Sequence, residues 1–119
     1  MTTDNLIEGE GYSVEYNSGT KQVAFRGTMR LKTSADYAPI NTLLEKAYDD
    51  AGEDKLVLDF RQLQFLNSSG INTVSRFVIT SRKKNAASLA VIGSKDIYWQ
   101  QKSLTNLQRL WKSVEIDIQ

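Results

Sequence analysis

Two short apolar runs, "KLVLDF" at Lys55–Phe60 and "SLAVIG" at Ser88–Gly93, flank a segment whose apolar residues recur on a helical period. In that segment Ile71, Val74, Phe77 and Val78 form one stripe, while Arg76, Arg82, Lys83 and Lys84 lie mostly off it. A strand, a helix and a second strand in succession constrain the fold strongly. Parallel neighbours cannot be joined by a tight turn, and a helix packed on the sheet is the usual crossover. Leu56, Val57 and Leu58 run without clean alternation, the pattern of a central strand covered on both faces. Helices are therefore expected on both sides of the sheet, and the amides of Leu56–Phe60 and Leu89–Ile92 among the slowest to exchange.

The flanking segments extend this unit. "YSVEY" and "QVAFRG" alternate around "NSGTK", which predicts antiparallel strands at Tyr12–Tyr16 and Lys21–Arg26, with Gly19 free to take positive φ in the turn. Ile40, Leu43, Leu44, Ala47 and Ala51 make a helical stripe, with Ser34 or Asp36 available as cap, Pro39 tolerated in the first turn and Gly52 as the stop. A third helix follows on Ile97, Leu104, Leu107 and Trp111, then a last strand with Val114, Ile116 and Ile118 on one face. The order β-β-α-β-α-β-α-β predicts a single α/β domain with a central mixed sheet over residues 12–119, preceded by a flexible tail at 1–11.

Composition excludes much chemistry. The 119 residues hold no Cys and no His, so disulfides, thiolate metal sites and a Ser-His-Asp triad are ruled out. A formal charge of +1 gives no global field for nucleic acid or an anionic membrane. The opening "MTTDNLIEGEG" has neither the basic start nor the apolar core of a signal peptide, and no apolar run nears the ~20 residues of a membrane span. A cytoplasmic protein is the expectation. Phosphate-loop and dinucleotide motifs are absent, so no cofactor and no enzymatic activity are expected. Ser81-Arg82-Lys83-Lys84 spells SxxK only by chance, and Asn67-Ser68-Ser69 is a glycosylation acceptor without an export signal to give it meaning. Asp59 sits where a receiver aspartate could, but "VAFRGT" offers no acidic pair to hold Mg²⁺ beside it.

One junction stands out. "FLNSSGINTVSRF" places Asn67, Ser68, Ser69 and Gly70 where a strand becomes a helix. Asn67 or Ser68 can cap that helix through its side-chain oxygen, and Gly70 can let the backbone pass close to a neighbour. The same geometry suits a phosphate, since a helix N-terminus gathers free N–H groups and positive dipole. Both uses remain open on spacing alone.

"LVLDFRQLQFLNSSGINTV" resembles the serine motif of STAS domains (sulfate transporter and anti-sigma factor antagonist), and "FRGTM" echoes, more weakly, the family's opening segment. The resemblance implies the same fold and a phosphorylation-controlled, protein-binding module of the anti-sigma-factor-antagonist kind, part of a bacterial partner-switching pathway. Its phosphoacceptor would be Ser68, and Asn67, Ser69, Gly70 and Ile71 would form the partner-binding helix start, with a phosphate over the amides of Ser69, Gly70 and Ile71. The implied partners are an anti-sigma factor or serine kinase of the histidine-kinase-like ATPase class, and a serine phosphatase. Two positions depart from the pattern: Asn67 replaces the motif's aspartate, and Thr28-Met29-Arg30 replaces Glu-Leu-Asp. Asn and Asp rank together as caps, so Asn67→Asp is expected to change stability little. The alternatives are a non-switching scaffold subunit of a larger signalling assembly, and a nucleotide- or small-anion-binding module.

Overall fold

A computed structural model describes residues 5–119. Six strands lie in sequence order across one sheet: β1 (Leu6–Gly9), β2 (Tyr12–Asn17), β3 (Gln22–Met29), β4 (Lys55–Leu66), β5 (Ser88–Gly93) and β6 (Glu115–Ile118). The first two pairings are antiparallel and the remaining three parallel. Helices α1 (Ala38–Ala51), α2 (Ser68–Lys84), and α3 (Tyr98–Thr105) with the short α4 (Leu107–Leu110) supply the crossovers. The expected α/β class and single mixed sheet are present.

The core sits on one face of that sheet. Tyr16, Val23, Leu58, Val91 and Ile116 follow one another across five strands in register, and Phe25 stacks on Phe60 with ring centroids 4.3 Å apart. Against this floor pack Leu43, Leu44 and Ala47 of α1 and Val74, Phe77 and Val78 of α2, all buried. Leu104, Leu107 and Trp111 complete the layer, but the expected single third helix is broken at Asn106 into α3 and α4, with Ile97 and Trp111 flanking them and Ile97 only partly buried.

Four further expectations need correction. Residues 6–9 are not tail but an edge strand: Ile7 pairs with Val14 and packs on the core, which an acidic-looking sequence concealed. Residues 1–4 of the expected tail lie outside the described residues. Gly19 does not take positive φ; Lys21 does, at 55°, and Asn17 Oδ1 organises the turn by accepting from the amides of Gly19 and Thr20. Neither Ser34 nor Asp36 caps α1, whose N-cap residue is Tyr37, because Asp36 is engaged in a reciprocal turn with Thr33.

The fourth correction concerns cover. Leu56, Leu58 and Phe60 are buried, but Val57 and Asp59 between them are only partly so, and no described residue on that second face is buried. Because β3 to β6 advance in one direction, right-handed crossovers place every helix on the same side. The other face is roofed instead by long charged side chains. Lys55 reaches from β4 across β5 to Glu115 (2.8 Å), Arg26 meets Glu15, and Arg61 folds onto Asp59. Side chains of this kind can cover apolar surface with their aliphatic stems while their heads stay wet.

Candidate functional site

Strand β4 sets the site. Its pairing with β3 slips twice, between Ala24 and Arg26 and between Gly27 and Thr28, each time leaving an extra residue on β4. The buried positions accordingly change from Leu56, Leu58 and Phe60 to Phe60, Leu63 and Leu66. Bulges sharpen local twist and re-aim a strand end. At the second slip Gly27 has φ +90°, and a Cβ there would sit 2.1 Å from the Gly11 carbonyl oxygen, so only glycine fits against the start of β2.

At the end of β4, Asn67 caps α2 in extended conformation and its side chain makes three hydrogen bonds. Its Oδ1 accepts from the Gly70 amide (3.0 Å) and from the Tyr37 hydroxyl (2.6 Å), and its Nδ2 donates to the Leu31 carbonyl (2.7 Å). Burial pushes the Tyr37 phenol above its ordinary pKa, which keeps it a neutral donor. Gly70 is buried in this cluster, and a Cβ would fall 2.2 Å from Leu66 Cδ1 and 2.7 Å from the Tyr37 hydroxyl.

Ser68 is the first helical residue and is exposed; Ser69 and Ile71 are half-buried. The expected amide cradle shifts by one position. Gly70 N–H is taken by Asn67 Oδ1 and Ile71 N–H by the Asn67 carbonyl, so at this helix start the amides without an acceptor among the described residues are those of Ser68 and Ser69. Five consecutive residues named from sequence therefore form one helix start with an accessible hydroxyl. Tyr37 and Leu31, which complete the cap, carried no local signal, since both come from a segment 30 or more residues away.

Two further residues brace the strand end from α3. Gln100 is fully buried; its Nε2 donates to the carbonyls of Phe60 and Leu63, and its Oε1 accepts from Ser94 N–H at 2.7 Å. Trp99 Nε1 donates to Gln64 O at 3.1 Å. These carbonyls lie beyond Asp59, the last residue of β4 paired with β5, so α3 supplies donors where the β5 ladder has ended. An amide at an otherwise apolar helical position was the available signal. Among the described residues no group of acidic side chains could hold a metal ion, and no helix is long and apolar enough to cross a membrane.

No protein-family model matches the sequence, and no curated protein is similar to it. Solved structures are similar in fold. SiaC of Pseudomonas aeruginosa superposes with TM-score 0.68 at 16% identity, over 96% of this chain and 95% of that one. The crystal structure of apo-SiaC gives 0.66 at 16%, over 96% of each chain. SiaC bound to the diguanylate cyclase SiaD, of which it is the activator, gives 0.69 at 15%, over 96% of this chain and 98% of that one. The expected STAS-like fold stands on this likeness.

Proposed function

We propose that this chain is a phosphorylation-controlled protein-binding module with Ser68 as the phosphoacceptor and Asn67, Ser69, Gly70 and Ile71 as the helix start that a partner reads. The observation that carries the reading is an exposed hydroxyl on the first residue of a helix whose Ser68 and Ser69 amides are unoccupied. A phosphate placed there meets free N–H groups and the positive end of the helix dipole, so both states of Ser68 are compatible with the fold. The partner surface would meet the new charge directly.

The SiaC likeness supports a regulatory partner-binding role rather than catalysis, because that protein is an activator held on another protein. Two partner classes follow. The serine motif favours an anti-sigma factor or serine kinase of the histidine-kinase-like ATPase class, reset by a serine phosphatase, in the cytoplasm. The SiaD complex favours an enzyme that the module activates. Incubation with the cognate kinase and ATP, followed by mass spectrometry, is expected to place one phosphate on Ser68. Modification confined to Ser69 would refute the assignment and leave a non-switching scaffold.

A further inference from the structure

Strands β3, β4 and β5 are parallel, so their C-terminal ends share one edge of the sheet, and α2 begins there. Exposed Arg30 and Lys32 follow β3, exposed Phe65 is the penultimate residue of β4, and Lys95 follows β5. The first turn of α3 adds Tyr98, which is 99% exposed, and Trp99, with Lys102 on the next turn. The aromatic residues are continuous with the serine junction. Trp99 hydrogen-bonds the carbonyl of Gln64, next to Phe65, and lies in one crevice with Ile71 of α2. Arg30 lies over the Phe65 ring, 4.9 Å from its centroid.

Arg30, Lys32, Lys95 and Lys102 make no ion pair with any described residue; six other cations elsewhere are likewise unpaired, but these four gather around Phe65, Tyr98 and Trp99. The acidic residues close by include Glu10, which shares a groove with Arg30 and Lys32, Asp36, which accepts from the Thr33 amide next to Lys32, and Asp96, next to Lys95. Free cations around exposed aromatic side chains make a surface complementary to carboxylates set among apolar groups. Single-stranded nucleic acid has a related chemistry, but it needs a continuous basic track, and Glu10 and Asp96 interrupt this one.

We propose that this edge docks an acidic amphipathic segment of a protein partner, with Phe65, Tyr98 and Trp99 taking its apolar side chains and Arg30, Lys32, Lys95 and Lys102 its carboxylates. The proposal rests on the reading of Ser68 as the switch, and it supplies the partner's chemistry. A phosphoserine at Ser68 adds close to two negative charges beside these cations, so it repels an acidic segment and competes for the same side chains.

The test titrates the isotope-labelled full chain with a synthetic peptide alternating glutamate and leucine. The partly buried Trp99 and the buried Trp111 provide two indole signals, one beside the proposed surface and one internal control. A saturable shift of the Trp99 signal alone is expected. Affinity should fall at least about tenfold between ~0.1 M and ~1 M salt, where the screening length drops from ~10 Å to ~3 Å. The double variant Lys32→Glu with Lys102→Glu, both at exposed positions, should bind at least about tenfold more weakly while keeping the dispersion of its spectrum. No saturable shift at Trp99, equal binding of a lysine–leucine peptide, or tighter binding of oligothymidylate would each overturn the proposal. Ser68→Glu separates the two readings. Weakened peptide binding supports both, unchanged binding leaves the docking surface and removes the switch, and kinase labelling of Ser68 without peptide binding does the reverse.

Discussion

Asn67 departs from the serine motif's aspartate, and its three hydrogen bonds give that departure a physical reason. An aspartate could accept from Gly70 and Tyr37 as the amide oxygen does, but it has no donor for the Leu31 carbonyl. Its second oxygen would instead face that carbonyl at close range. The ranking of Asn and Asp as equal caps therefore does not decide the matter here. Asn67→Asp is expected to lower stability by about 1–3 kcal/mol, the range for a broken and uncompensated hydrogen bond, and urea unfolding will measure it. An unchanged midpoint would show that the loop at Leu31 moves aside without cost. Gly70→Ala tests the other half of the cluster. Its methyl must displace Leu66 and the Tyr37 hydroxyl, so a loss of roughly 1–3 kcal/mol from overpacking is expected, with slower phosphorylation of Ser68 as the helix start shifts.

At the scale of elements, the sheet's uncovered face explains both a misreading and a pH dependence. The run Leu56-Val57-Leu58 looks doubly buried because Val57 is apolar, yet Val57 is only partly buried, on a face that no helix covers. Nothing local distinguishes a helix-covered face from an uncovered one; strand order does, and a single sequence does not display it. The helical stripes, the Gly52 stop and the Asn67 cap were legible because each depends on residues within a few positions of one another. The bulges of β4 and the Gln100 and Tyr37 contacts were not, since they join segments about 30 to 40 residues apart. On the uncovered face, burial would raise the pKa of Asp59, but hydrogen bonds from the Arg61 side chain and amide outweigh it and hold the carboxyl below its usual range. A carboxylate with a lowered folded pKa stabilises the protein above its unfolded pKa, near ~3.9, and that contribution disappears as pH falls through the folded value. Denaturant unfolding across pH should therefore show wild type ahead of Asp59→Asn at neutral pH and the two converging in acid. Parallel curves throughout would mean that the pair does not form in solution.

For the whole molecule, a switch at Ser68 must change binding without disturbing the core, and the architecture separates the two. Ser68 is exposed at the sheet's edge, whereas the core runs through Val23, Leu58 and Val91 and depends on no atom of that side chain. Strand β4 lies between β3 and β5 and is paired on both sides over Val57–Asp59, while β5 is flanked by the short edge strand β6. Amide exchange should thus be slowest across Leu56–Phe60 and somewhat faster across Leu89–Ile92, since sub-global opening from the β6 edge reaches the second segment first. Phosphorylation of Ser68, or its replacement by Ala or Glu, should leave both rates and the unfolding temperature near wild type. The response should be confined to Ser68–Ile71 and to binding. A dianion buried uncompensated against a partner costs several kcal/mol, and ~3 kcal/mol is already more than a hundredfold in affinity. Calorimetric titration of the cognate partner is therefore expected to show Ser68→Ala binding like the unmodified protein and Ser68→Glu binding poorly. Equal affinities would reject charge as the signal. If Ser68→Glu also accelerated exchange across Leu56–Phe60, the lost binding would reflect an unsettled fold instead of a read-out of the helix start.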